Sequence, residues 1–150
     1  MRYTIPLYQV QLVKDRKALK RPDHMLDAPR AVSLLMIELL GNPDREHFVV
    51  FMLDTRNKFI GANVVTVGTL TASLIHPREV FKPAILSNAA AVILAHNHPS
   101  DDTNPSAEDK ETTKRLEQAG RLLGIGVLDH VIIGSGGAFA SMRQLGHIGS

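Results

Sequence analysis

The chain has 150 residues, of which 44% are hydrophobic and 21% charged, the composition of one folded domain whose core is large enough to need no covalent staples. Cysteine is absent, which excludes disulfides, thiolate nucleophiles and every zinc site built on sulfur, and is compatible with a reducing cytoplasm. Lys and Arg exceed Asp and Glu by only 17 − 15 = 2, and no dense basic block is present, so charge does not support nucleic acid as a partner.

Met1-Arg2-Tyr3-Thr4-Ile5-Pro6 lacks a basic stretch followed by an apolar core, so no signal peptide is expected. No apolar run reaches the ~20 residues that a membrane span requires. Tyr3 to Val13 is β-prone but broken by Pro6, the pattern of an edge strand. Lys14 to His24 is polar and reads as a loop. Asp27-Ala28-Pro29 opens a helix whose stripe of Ala31, Leu34, Leu35 and Leu39 ends at Gly41. Residues 1–42 are therefore expected to be a strand and helix packed on a main domain of residues 43–150, with the boundary near Gly41-Asn42-Pro43-Asp44.

Beyond that boundary, Glu46 to Asp54 is apolar on both faces, as in a central strand covered on two sides. Thr55-Arg56-Asn57-Lys58 turns the chain into a second strand, Phe59 to Thr69, antiparallel to the first. Pro77 starts a helix through Asn88, with Val80, Phe81, Ala84 and Ile85 inward. Ala90 to His96 is a strand, Ser106 to Leu123 a helix closed by Gly124, and Ile125 to Ile133 another strand. Gly134-Ser135-Gly136-Gly137 then turns into a short strand around Phe139. Strands separated by helices on a mixed sheet predict an α/β sandwich.

The chemistry is concentrated in Leu94-Ala95-His96-Asn97-His98-Pro99 and Asn104-Pro105-Ser106-Ala107-Glu108-Asp109. Side chains at i and i+2 of a strand share a face, so His96 and His98 can converge on one point, and imidazole suits zinc. Asp109 falls at the start of the next helix, where the helix dipole favours a carboxylate. Three such ligands leave one tetrahedral position open, the mark of a catalytic rather than a structural zinc site. Ser106 and Asp109 also form the S-x-x-D pattern of a helix cap. Capping explains that pair, but not His96 or His98.

H-x-H-P, six further residues, then S-x-x-D resembles the JAMM (JAB/MPN+) metalloprotease motif in residue type and spacing. The wider run from His76-Pro77-Arg78-Glu79-Val80-Phe81 to Leu128-Asp129-His130-Val131-Ile132-Ile133-Gly134 resembles the RadC family within that group, over about residues 44–145. The resemblance implies a three-layer α/β/α JAB/MPN fold of the cytidine-deaminase-like kind, with Zn2+ held by His96, His98 and Asp109 and a water activated by the metal. It also implies a glutamate base at Glu46 in Asp44-Arg45-Glu46-His47-Phe48, with Glu79 as the runner-up. Ser106 would donate to the oxyanion.

Two departures stand out. RadC-type sequences usually read H-N-H-P-S-G-D, whereas Asp101 takes the glycine place here; if that residue needs φ > 0, Asp tolerates it better than most side chains. Longer RadC proteins carry a helix-hairpin-helix type segment associated with DNA, for which this chain has no room. Asp129-His130 reads as a structural strand-end contact more readily than as support for the ligands. His24, His47, His76 and His147 have no partner at ligand spacing and read as surface or turn residues.

The leading functional expectation is a cytoplasmic zinc metallopeptidase or isopeptidase acting on a peptide or protein. The alternative is a metal-dependent nuclease or a DNA-repair-associated interaction module of the RadC type. A nucleobase deaminase would need P-C-x-x-C, and the H-E-x-x-H of other zinc peptidases is absent.

Overall fold

The computed structural model describes residues 2–20, 28–41, 43–68 and 75–149. In chain order its elements are α1 (Ala28–Leu40), β1 (His47–Leu53), β2 (Phe59–Val67), α2 (Pro77–Leu86), β3 (Ala91–Asn97), α3 (Ala107–Leu123), β4 (Gly126–Ile133), a 3-10 turn (Ser135–Gly137) and β5 (Phe139–Ser141). Among the described residues no helix is long and apolar enough to cross a membrane.

The five strands form one mixed sheet in the order β2-β1-β3-β4-β5. Only β3 and β4 run parallel, while β1 pairs antiparallel with both β2 and β3, and β5 antiparallel with β4. Alternation along β1 sends Phe48, Val50 and Met52 to one face and Val49, Phe51 and Leu53 to the other, and all six are buried. The Phe48 face packs on Val80, Phe81 and Ala84 of α2 and Leu116 of α3. The Val49 face packs on Val32, Leu35 and Met36 of α1. Helices thus cover both faces of the sheet, giving the expected α/β/α layering, and each large apolar side chain so buried contributes about 1.5–3 kcal/mol relative to exposure.

Close packing of α3 on β4 depends on Gly120. A Cβ there would lie 2.3 Å from the Ile125 carbonyl oxygen, and the Ile125 N–H donates to the Gly120 carbonyl at 2.8 Å. Gly124, at φ 74°, ends α3 in the left-handed conformation that glycine adopts without strain.

Several expectations need correction. Residues 3–13 form no strand; Tyr3, Leu7, Tyr8 and Val13 stand exposed. A strand exists only through a hydrogen-bonding partner, and none of the five strands pairs with this segment. It is the following stretch that touches α1, where the Lys17 ammonium donates to the Leu39 carbonyl and the Lys20 N–H to the Glu38 carboxylate. On α1 the buried stripe contains Val32 and Met36, whereas Leu34 is exposed.

On α2, Ile85 is exposed too. At 3.6 residues per turn it lies roughly a quarter-turn from the centre of the Val80–Phe81–Ala84 stripe. That helix stops at Leu86, with Asn88 at φ 56°. Asp27, Asn42 and Thr69, which bear on the expected cap, boundary and strand end, lie outside the described residues, as does His24.

Candidate metal centre

β3 is buried along its whole length, and its C-terminal end delivers His96 and Asn97 before the chain turns at His98-Pro99. The turn is anchored where the His98 N–H donates to the Ile133 carbonyl at 2.8 Å and the Asp101 N–H to the His98 carbonyl at 3.0 Å. Asp101, in the place usually held by glycine, has φ 67°, so the position does require the left-handed region. Its carboxylate accepts the Ser135 N–H at 2.9 Å, tying the loop to the turn after β4. Gly134 leaves the space for this contact, since a Cβ there would sit 3.1 Å from the Asp101 carbonyl oxygen.

Ser106 caps α3. Its hydroxyl accepts the Asp109 N–H at 3.0 Å while the Asp109 carboxylate accepts the Ser106 N–H at 2.8 Å, a complete capping box. The capping explanation of this pair therefore holds, and it has a second effect: the box holds the Asp109 carboxylate beside the two histidines. Asp109 Oδ1 lies 3.2 Å from His96 Nε2, and Oδ2 lies 3.4 Å from His98 Nε2. The two Nε2 atoms are 2.9 Å apart. One ligand atom from each of His96, His98 and Asp109 falls within 4.8 Å of the others. Two imidazole nitrogens and a carboxylate oxygen converging in this way fit a small divalent transition-metal cation, zinc among them.

Electrostatics within the cluster follow from these contacts. The Asp109 carboxylate raises the pKa of His98 above its ordinary value, against the effect of burial, with the Asp102 carbonyl and the charge of Glu46 acting in the same direction. Burial alone would raise the Asp109 carboxyl, but His96 and His98, with the Ser106 N–H, hold it far below the usual carboxylate range. Asp109 is therefore ionised at any physiological pH.

Glu46 immediately precedes β1 and is partly buried. Phe48 pairs with His96 across β1 and β3. Glu46 stands two residues before Phe48, and its charge is close enough to act on His98. The Asn97 side chain clamps the backbone on either side of Glu46: it accepts the His47 N–H at 2.7 Å and donates to the Arg45 carbonyl at 2.9 Å. Glu79, the runner-up, lies on α2 with its carboxylate 3.2 Å from the Lys82 ammonium and about half exposed.

Two residues of the cluster's surroundings, Asn97 and Thr113, were not singled out in the sequence, and His130 was read there as a structural contact. His130 is buried with its Nε2 2.7 Å from His96 Nδ1 and its Nδ1 2.6 Å from the Thr113 hydroxyl. The pair Asp129-His130 accordingly divides. Asp129 is a structural contact that accepts the Ser141 hydroxyl at 2.6 Å and the Arg143 N–H at 3.0 Å, whereas His130 bonds to His96 of the cluster. Burial, reinforced by the nearby His96, pushes the pKa of His130 well below that of an ordinary imidazole. Thr113 had a readable signal, since it follows Asp109 by one helical turn; His130 had none without the pairing of β4 to β3. His76 and His147 are exposed as expected, and the His47 ring lies 3.0 Å from the nearby Arg45 carbonyl. A cavity of about 540 Å³ between α1 and β4 includes Leu53, Ile93 and Arg143 in its wall but none of the metal-centre residues.

Comparison with known proteins agrees with this geometry. The RadC-like JAB domain profile matches residues 26–147. A UPF0758 protein of Rubrobacter xylanophilus is 48% identical over 143 residues, 95% of this chain and 62% of that protein. Similar proteins occur in Symbiobacterium thermophilum, 53% identical over 79% of this chain and 50% of the relative, and in Methanosarcina mazei, 42% identical over 86% and 56%. The chain thus spans about half to three-fifths of the length of these curated relatives. With the mixed five-stranded sheet, its three helices and the His-His-Asp cluster in place, the chain belongs to the RadC-like JAB domain family.

Proposed function

We propose that this domain is a zinc-dependent hydrolase of amide bonds, a metallopeptidase or isopeptidase working in the cytoplasm on a peptide or protein. The observation that carries the reading is the convergence of His96 Nε2, His98 Nε2 and the Asp109 carboxylate within 4.8 Å of one another, with the charge of Glu46 acting on His98. Zinc held by these three residues supplies a Lewis acid that polarises a carbonyl and makes water more acidic. Glu46 accepts the proton of the attacking water and passes it to the departing amine. Ser106 Oγ accepts the Asp109 N–H, and a hydroxyl that accepts one bond still has its own proton to donate. That proton goes to the carbonyl oxygen as it gains charge.

Metal analysis of the purified protein, followed by a hydrolysis screen over peptides, isopeptide-linked conjugates and nucleic acids, tests the proposal. We expect about one zinc per chain and amide cleavage that a chelator abolishes. Cleavage of nucleic acid alone would replace the substrate class with a phosphodiester. Zinc-loaded protein inert toward all three would remove the hydrolase reading and leave an interaction module.

A further inference from the structure

Two chains of hydrogen bonds reach the metal centre from behind, and their directions can be worked out from atoms alone. The Thr113 hydroxyl oxygen lies 2.7 Å from the Asp109 carbonyl oxygen. A carbonyl only accepts, so the single hydroxyl proton lies between these two oxygens. Toward His130 Nδ1, 2.6 Å away, Thr113 can then only accept, and Nδ1 carries the proton. A neutral imidazole protonated at Nδ1 has its lone pair at Nε2. That atom is 2.7 Å from His96 Nδ1, so His96 donates there and keeps its own Nε2 bare. The reverse direction would set two oxygen lone pairs against each other at 2.7 Å.

His98 reaches the same state by a shorter route. Its Nδ1 lies 2.6 Å from the Asp102 carbonyl, which forces the proton onto Nδ1 and again leaves Nε2 bare. In the neutral form of each ring, which alkaline pH favours, both imidazoles turn lone pairs toward the Asp109 carboxylate, an arrangement that a proton or a metal cation relieves.

We infer that Thr113 and His130 are positioning residues that set the tautomer of His96 and thereby select Nε2 as the nitrogen it offers to a metal. They reach the centre through His96 and do not touch the substrate. The inference rests on the metal-binding reading of His96, but its primary test does not depend on metal being bound. Side-chain partners of metal-bound histidines are commonly worth 10–100-fold in affinity.

The experiment measures the imidazole nitrogen resonances of 15N-histidine-labelled, metal-free protein at alkaline pH, together with zinc affinity by competition with a chromophoric chelator. In the wild type, His96 and His130 should each be protonated at Nδ1 and bare at Nε2. Thr113→Val, which is nearly isosteric, should lose that single tautomer and bind zinc about 10–100-fold more weakly, whereas Thr113→Ser should restore both. A wild-type His96 protonated at Nε2 overturns the inference, whatever the variants do and even if Thr113→Val does not fold. A folded Thr113→Val with unchanged tautomers and unchanged zinc affinity also overturns it while leaving the metal reading intact. Wild-type protein with the expected tautomers but no zinc binding supports the relay as drawn and removes the proposed hydrolase instead.

Discussion

Phe48 lies nearly flat against His96, with ring centroids 6.0 Å apart and planes inclined by 11°, and it meets His130 edge-on at 5.4 Å. The same side chain belongs to the apolar core that α2 and α3 cover. The core therefore extends through Phe48 to the buried His96–His130 pair. Phe48→Leu retains most of the volume but removes the aromatic contacts, which are worth about 0.5–1.5 kcal/mol. Chemical denaturation should show a loss of that order, with weaker zinc binding alongside. An unchanged denaturation midpoint would contradict the assignment.

Ser106 and Asp109 share a cap but have different roles, and substitutions should separate them. Ser106→Ala removes a cap worth about 0.5–2 kcal/mol, so stability should fall while zinc stays bound and turnover drops. Asp109→Asn keeps an acceptor for the Ser106 N–H but removes the charge, so zinc affinity should fall more than stability. Equal zinc affinity in the two variants would show that Asp109 is only a cap.

Glu46→Gln should retain fold and zinc and lose about 10²–10⁴ in hydrolysis, the usual worth of acid–base catalysis. Glu79→Gln should leave turnover unchanged, because that carboxylate is occupied with Lys82 on the exposed face of α2. Turnover measured on a verified substrate decides between them: loss in Glu79→Gln alone would move the role to Glu79, and silence of both variants would remove it from either.

Zinc affinity should depend on pH with a definite sign. In the metal-free chain His98 is raised above its ordinary 6.5 by Asp109, so its pairing stabilises the fold below that pH and is lost as pH rises through the raised value. The Asp109 carboxyl is depressed from 3.8, so its contribution is present above that pH and is lost as pH falls through the lowered value. Zinc must displace the His98 proton. Affinity should therefore climb about tenfold per pH unit below the raised His98 value and level off above it. Chelator competition between about pH 5 and about pH 8 measures the slope, and a flat profile would exclude His98 as a ligand.

The metal-ligand candidates were legible because each depends on local geometry: His96 and His98 alternate along one strand, and Asp109 stands in the first turn of the following helix. β1 was also legible, since a short, β-branched and aromatic run apolar on both faces, followed by a turn, fits a central strand covered on two sides. The supporting residues were not legible in the same way. His130 meets His96 because β4 lies parallel to β3, with Leu94 opposite His130, a register that no short pattern encodes. The N-terminal segment misled for the opposite reason. Alternation at residues 3–13 expresses a preference for extended backbone, but pairing needs a free neighbour, and the sheet is built without it.

The antiparallel pairing of β1 with β3 means that the start of one strand meets the end of the other, so Glu46 and the histidines come to one rim of the sheet with no loop between them. Shifting β1 by a single residue would turn Glu46 to the opposite face and move Phe48 away from His96. The distance between the start of β1 and the end of β3 is thus a property of the ladder of hydrogen bonds. Variation in residues 99–105 can reshape what approaches this rim while leaving the relation between Glu46 and His98 to the rigid strands beneath.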